Sequence, residues 1–246
     1  MRNTIRSTRA SGRVGMVVLL VATMVAMLLG PVGVAPAVAQ DDLSIQTRVQ
    51  VLHADPALGQ VEVFINDDEV LDEFTYGQQS DWIDFQPGGA RVTITADRAG
   101  FNYAVFDAVY PAPADNDYYL IITDPLVIGG VFDTNPIPDR GARVRIVQAS
   151  VALPAVTVTA NDESQVLARQ LPYAATSVYT VVPAGTYDFD VTLADSGEVA
   201  LTVPGMVLES NMTYDLVLMG QPGDEDHPLE LRPLSDTTRE RATPTP

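Results

Sequence analysis

The chain reads as all-β: two tandem immunoglobulin-like antiparallel β-sandwich domains behind an N-terminal signal peptide. Three observations predict this. A stretch near the start of the mature chain occurs twice. Apolar residues alternate with polar ones along both copies. Turn-forming residues punctuate the sequence every eight to twelve positions.

The repeat comes first. Arg48-Val49-Gln50-Val51-Leu52-His53-Ala54-Asp55-Pro56 returns as Arg143-Val144-Arg145-Ile146-Val147-Gln148-Ala149-Ser150-Val151, and the offset of 95 holds without a gap through Asn66-Asp67 and Asn161-Asp162. Tyr76, Ser80 and Trp82 then answer to Tyr173, Ser177 and Tyr179. Pro87-Gly88-Gly89 answers to Pro183-Ala184-Gly185, and Tyr119-Leu120 parallels Tyr214-Asp215. A period near 95 exceeds the roughly 20–50 residues of a solenoid unit. It suits a duplicated domain of the common size.

These motifs resemble the bacterial exported domains of unknown function 4397, whose opening usually reads His-Ala-Ser-Pro and whose later segment reads Pro-Ala-Gly-Thr-Tyr. The second copy carries the latter as Pro183-Ala184-Gly185-Thr186-Tyr187 but has Gln148-Ala149-Ser150-Val151 at the former. The resemblance covers nearly all of residues 46–235. It implies the fold and export, and brings no established activity.

The order of elements follows. Residues 1–39 read as a signal peptide: Arg2, Arg6, Arg9 and Arg13, an apolar run from Val14 to Leu29, then Ala37-Val38-Ala39 as a small-x-small cleavage site. Retention as a membrane anchor is the alternative, since the apolar run approaches the ~18 residues that span a bilayer. Repeat 1 occupies 41–133, with strands expected at 47–53, 60–66, 69–74, 80–86, 90–96, 102–109 and 117–123, and an eighth at 126–132. Asn66-Asp67, Pro87-Gly88-Gly89, Ala99-Gly100 and Asp115-Asn116 mark the turns. Residues 134–141, with Pro136 and Pro138, read as an extended linker. Repeat 2 occupies 142–235. Its Arg143-Val144-Arg145-Ile146 and Thr186-Tyr187-Asp188-Phe189 alternate as strands with one wet face, which an antiparallel sheet provides. Residues 236–246 read as a disordered Thr/Pro tail.

Charge and composition narrow the function classes. The chain has no Cys and no Lys. Loss of the four leader arginines leaves ten against 32 acidic residues, a net charge of −22. That field repels nucleic acid and favours solubility. Without disulfides, two domains of this size must hold by their cores alone. No later segment is long and apolar enough to span a membrane, and the mature chain is expected to be a monomer.

Candidate chemistry is sparse. A hydrolase triad needs a histidine, and only His53 and His227 exist. His53 ends the first strand, where Gln148 replaces it in the second copy, and His227 lies in an acidic loop. Both read as structural, so catalytic residues and cofactors are expected to be none. Asp67, Asp68, Asp162 and Glu163 are calcium candidates by matched position. Their spacing fits no calcium loop, and Asn-Asp is first a hairpin turn. Trp82, Tyr76, Tyr173 and Tyr179 form a candidate ligand surface, although matched aromatics in duplicated sandwiches are more often core anchors. Phe101, Tyr103, Tyr110 and Tyr118 could supply a second cluster.

The leading reading is a secreted or cell-envelope, non-catalytic protein for extracellular interaction or adhesion, its partner a protein or polysaccharide. The alternative is a secreted carbohydrate-active enzyme or accessory using paired carboxylates. Processing is directly testable. The intact mass of the exported form should place its first residue at Gln40 or within a few positions, and a form retaining Val14 to Leu29 would disprove cleavage.

Overall fold

The computed structural model describes residues 47–98, 101–123, 127–133, 135–161 and 165–237. The proposed signal peptide and residues 238–246 of the Thr/Pro tail lie outside them. All eight strands expected in the first copy form: β1 (Thr47–His53), β2 (Val61–Ile65), β3 (Asp68–Phe74), β4 (Ile83–Phe85), β5 (Gly88–Arg98), β6 (Phe101–Ala112), β7 (Asp117–Ile122) and β8 (Val127–Val131). The second copy repeats them as β9 (Ala142–Gln148), β10 (Val156–Ala160), β11 (Gln165–Leu171), β12 (Thr180–Val182), β13 (Gly185–Leu193), β14 (Val199–Leu208), β15 (Met212–Met219) and β16 (Glu230–Thr237). The last strand thus runs two residues past the expected end of the repeat.

Each copy is a sandwich of two four-stranded sheets. In the first copy the sheets are β4-β1-β7-β8 and β3-β2-β5-β6; in the second they are β12-β9-β15-β16 and β11-β10-β13-β14. The pairing is not wholly antiparallel, because β1 runs parallel to β7 and β9 parallel to β15. Val49, Val51, Leu120 and Ile122 of one sheet pack on Val61, Val63, Val92 and Ile94 of the other to make the first core. Val144, Ile146, Leu216 and Leu218 pack on Val156, Val158, Phe189 and Val191 in the second.

Local details repeat with the fold. Asn66 and Asp67 join β2 to β3 with φ of 53° and 68°, the positive values at both positions that a tight I′ hairpin requires. Asn66 Oδ1 accepts the Arg91 N–H, and Asn161 Oδ1 accepts the Asp188 N–H. Strands β3 and β11 carry an extra residue at the same place, with Glu73 and Gln170 at φ of 50° and 47°. Ser80 Oγ accepts the Val51 N–H as Ser177 Oγ accepts that of Ile146, both at 2.9 Å. That bond accounts for the serine kept between the two matched aromatics.

Register corrects two of the sequence alignments by one residue. Val49 pairs with Tyr118 and Val144 with Tyr214, so Tyr214 is the counterpart of Tyr118, not of Tyr119. Ile65 pairs with Val92 and Ala160 with Phe189, which makes Gly88, not Gly89, the counterpart of Gly185. A slip of one position exchanges the two faces of a strand, so the correction decides which residues are equivalent in the core.

One expectation about the sheets is overturned. The alternating arginines of β9 suggested a wet face, yet β9 and its neighbour β15 are buried along almost their whole lengths. The cause is a third core. Leu52, Tyr119, Ile121 and Ile128 of the first copy meet Val147, Val217, Met219 and Leu234 of the second. The sheets containing β1 and β9 therefore face each other, and each is covered on both sides. Both copies belong to one compact unit. The segment between the copies is folded too: Ile137 is buried, Pro138–Arg140 makes a 3₁₀ turn, and a Cβ at Gly141 would lie 2.6 Å from the Val182 carbonyl.

Each copy has its own core, but alone it would expose its share of the third. Residues 41–136 and 139–236, expressed separately, should each unfold cooperatively at a lower temperature than the whole chain. Mixed, they should form a 1:1 complex. Calorimetry and analytical ultracentrifugation check this, and halves as stable as the whole that ignore each other would disprove the shared core.

Candidate functional site

The junction between the sandwiches gathers the polar side chains that strand alternation aims away from the two inner cores. On β9, Arg145 stands beside Asp215 of β15, its partner in the parallel ladder. Nε donates to Asp215 Oδ1, and Nη2 donates to Oδ2 at 3.1 Å, to the Tyr119 hydroxyl at 2.8 Å and to the Val131 carbonyl at 3.2 Å. The guanidinium lies 4.1 Å over the ring of Tyr179, a placement that favours a partly desolvated cation. Asp215 has no exposed surface.

Electrostatics follow from that burial. Burial pushes the Asp215 carboxyl above its ordinary range, opposed by Arg145 and the Tyr179 hydroxyl. Burial works against the charge on Arg145, but Asp215 outweighs it and holds the guanidinium above its usual value. Burial, followed by the charge on Asp215, drives both Tyr119 and Tyr179 upward. The hydroxyls stay protonated and act as hydrogen-bonding groups.

Tyr119 reaches Arg145 across the backbone of Gly130, where a Cβ would lie 2.1 Å from its hydroxyl. Tyr119 pairs with Gly130 as Asp215 pairs with Leu234. The copies thus exchange a large-small pair for a small-large one at equivalent positions.

Arg48 makes the corresponding cluster near the other sheet. Its Nε donates to Asp117 at 2.7 Å and its Nη2 to Asp236 of the second copy at 3.1 Å, with its guanidinium 4.0 Å over Trp82. Arg143 donates to the backbone carbonyls of Asp133 and Asn135, and Thr213 Oγ1 also donates to Asp133. Arg232 donates to the Gly77 carbonyl at 2.8 Å, and the Tyr76 ring meets that of His227 edge-on at 4.8 Å. Burial, with the charge on Glu230, pushes the Tyr76 hydroxyl up to about 12.

The sequence candidates are distributed as follows. Trp82 and Tyr76 pack against the shared core, Tyr179 covers Arg145, and Tyr173 is half-buried. Asp67 faces Arg91 at 3.6 Å and Asp68 is exposed at the start of β3. Asp162 and Glu163 lie outside the described residues. Among the described residues, no group of three or more His, Asp or Glu is placed to hold a metal ion. His227 bonds to Asp224 through its backbone and ring. His53 is sealed from solvent, and its Nε2 donates to the Gly59 carbonyl at 2.9 Å. Gln148 is equally buried, with Nε2 reaching the Pro154 carbonyl six residues on, the same interval. What the sequence concealed was the cation network itself, because alternating arginines look like solvated ones.

The fold defines a class, a tandem pair of β-sandwiches joined face to face. The profile of the family described as domain of unknown function (DUF4397) matches twice, over residues 47–141 and 142–245. The chain belongs to this family. No curated protein matches it. Among solved structures, a "putative adhesin" from Bacteroides ovatus is similar over 77% of this chain and 95% of its own, at 8% identity and a TM-score of 0.21. No helix among the described residues is long and apolar enough to cross a membrane.

The network predicts a double-variant signature. Arg145→Ala leaves the Asp215 carboxylate buried without its cation and should lose about 3–5 kcal/mol of stability. Arg145→Met with Asp215→Leu should recover most of that loss in urea unfolding. A double variant no better than the single one would show that the pair does not act as a unit.

Proposed function

We propose that this chain is an exported, non-catalytic interaction module of the cell exterior or envelope, working as a monomer on a protein or polysaccharide partner. One observation carries the non-catalytic reading: His53 is used as Gln148 is used. Each sits at the end of the first strand of its copy, without solvent contact, and ties down the loop six residues ahead through one donated hydrogen bond. An imidazole replaceable by an amide is serving packing, since an amide cannot transfer a proton at neutral pH. The buried carboxylates Asp117, Asp215 and Asp236 face arginines, so they are committed to structure and not to acid–base work on a substrate.

The interaction reading draws on the surfaces left free. Sheets β3-β2-β5-β6 and β11-β10-β13-β14 turn Thr, Asp and Glu outward, with Thr95 bonded to Glu62 at 2.9 Å and Thr202 to Asp190 at 2.6 Å. Such faces suit a hydrophilic partner. The apolar faces of the inner sheets are consumed within the chain, which supports a monomer. The leader motif supports export.

The mature protein should show no turnover of polysaccharide, peptide or ester substrates. His53→Gln should fold with nearly unchanged stability. The variant should also alter the pH response in a defined direction. Burial depresses the His53 pKa, against the Gly59 carbonyl and Asp55. Below about 6.5 the unfolded chain binds a proton that the native site refuses, so native stability is lost as pH falls toward the depressed value. The wild type should therefore lose more stability than His53→Gln between neutral and mildly acid pH. Hydrolysis of any screened substrate that disappears in a folded His53→Gln protein would overturn the reading.

A further inference from the structure

The two copies differ most at one end of their sandwiches. Register makes Ala90, Val92 and Ala112 the equivalents of Tyr187, Phe189 and Leu208. Val92 pairs with Ile65 as Phe189 pairs with Ala160, and Gly88 pairs with Ala112 as Gly185 pairs with Leu208. All six of these equivalents are buried. In the second copy Tyr187 and Phe189 stack 6.0 Å apart and fill the space between the sheets. The first copy has lost both rings and one leucine side chain there.

Its compensation is partial. By the same registers, Ile65 replaces Ala160, Phe85 replaces Val182 and Tyr110 replaces Met206. A cavity of about 160 Å³, partly open to solvent, remains between the sheets. Phe85, Tyr110 and Tyr118 supply aromatic walls, and Val92 and Leu120 line it with methyl groups. Gly129 and Gly130 of β8 complete the wall with no side chain. A Cβ at Gly129 would come within 3.4 Å of the Tyr110 ring. The lining holds no charged side chain. The Tyr118 hydroxyl is engaged by the Pro113 carbonyl at 3.0 Å and that of Tyr119 by Arg145 at 2.8 Å.

We propose that this cavity is a binding site for a small uncharged molecule the size of one aromatic ring. Size sets the upper limit: an enclosed apolar cavity near 150 Å³ takes benzene, and this one has a similar volume with an opening to solvent through which a ligand can enter. Polarity sets the class. A carboxylate, amine or sugar would leave water for a lining that returns few hydrogen bonds, and that transfer is unfavourable. Aromatic walls favour a ring, which meets other rings edge-on or offset. An unfilled space of this size destabilises a core, and the sister copy shows that the fold accepts side chains that would fill it. The site lies against the inner face of the β3-β2-β5-β6 sheet, away from the outward face invoked for interaction, so its failure would leave that reading untouched.

The test uses the whole mature chain with labelled methyl groups, titrated with benzene, toluene and phenylacetate and followed by NMR. Benzene and toluene should give saturable shifts centred on Ile65, Val92 and Leu120, and phenylacetate should give none. Val92→Phe and Ala112→Leu, each importing the side chain of the second copy, should abolish those shifts and raise Tm. Absence of saturable binding by either arene would overturn the proposal, as would shifts that persist in both folded variants. Equal binding of phenylacetate would overturn the assignment to uncharged molecules. Failure of both variants to fold would show that no spare volume exists, and would overturn it as well.

Discussion

Everything in this molecule depends on two sheets that are covered on both faces. A strand in a sandwich ordinarily has one dry side and one wet side, so its polar residues need no partner but water. Strands β1, β7, β9 and β15 lose that freedom when the copies meet through Leu52, Ile121, Val147 and Val217. Any polar group on the joining face must then find its partner inside the protein. Arg48 and Arg145 find carboxylates on the neighbouring parallel strand, and the aromatic rings of Trp82 and Tyr179 cover their guanidinium planes.

That constraint also explains how the charge is distributed. A chain with 14 arginines against 32 acidic residues, net charge −18, has few cations to spare. Arg48, Arg143, Arg145 and Arg232 nevertheless stand at the junction, where they bind carboxylates or backbone carbonyls. The outer sheets keep an acidic, hydroxyl-rich surface. Acidic excess outside keeps the protein soluble, while arginines inside fix how one copy sits on the other. Arginine suits the second task because one planar group can bond a carboxylate and a hydroxyl while stacking on a ring.

Much of this was legible in the sequence, and the losses have identifiable causes. The gapless repeat, the alternation and the Asn-Asp turns located all the strands of the first copy, because those signals are local. The joining face was hidden because Arg143 and Arg145 alternate with Val144 and Ile146 just as residues on a solvated face would. Nothing in one strand tells whether water or another sheet lies beyond its polar side. The matched aromatics Trp82 and Tyr179 were visible, but not the arginines they cover. Insertions of one residue displaced two alignments, which hid the equivalence of Ala90 with Tyr187 and of Val92 with Phe189. The cavity they leave became apparent only through strand register.

The face-to-face joint has a consequence for how such domains can multiply. Both copies use the same side of the same sheet, so the contact is isologous and satisfies itself with two members. A head-to-tail contact would leave an unused half at each end and invite a third copy. Here the outward faces carry Thr, Asp and Glu with scattered valines such as Val109 and Val207, and neither offers the continuous apolar side that the joint consumes. Longer arrays built on this plan would grow by whole pairs, strung on connectors like links already closed. In such an array an odd repeat would be left with a bare apolar sheet.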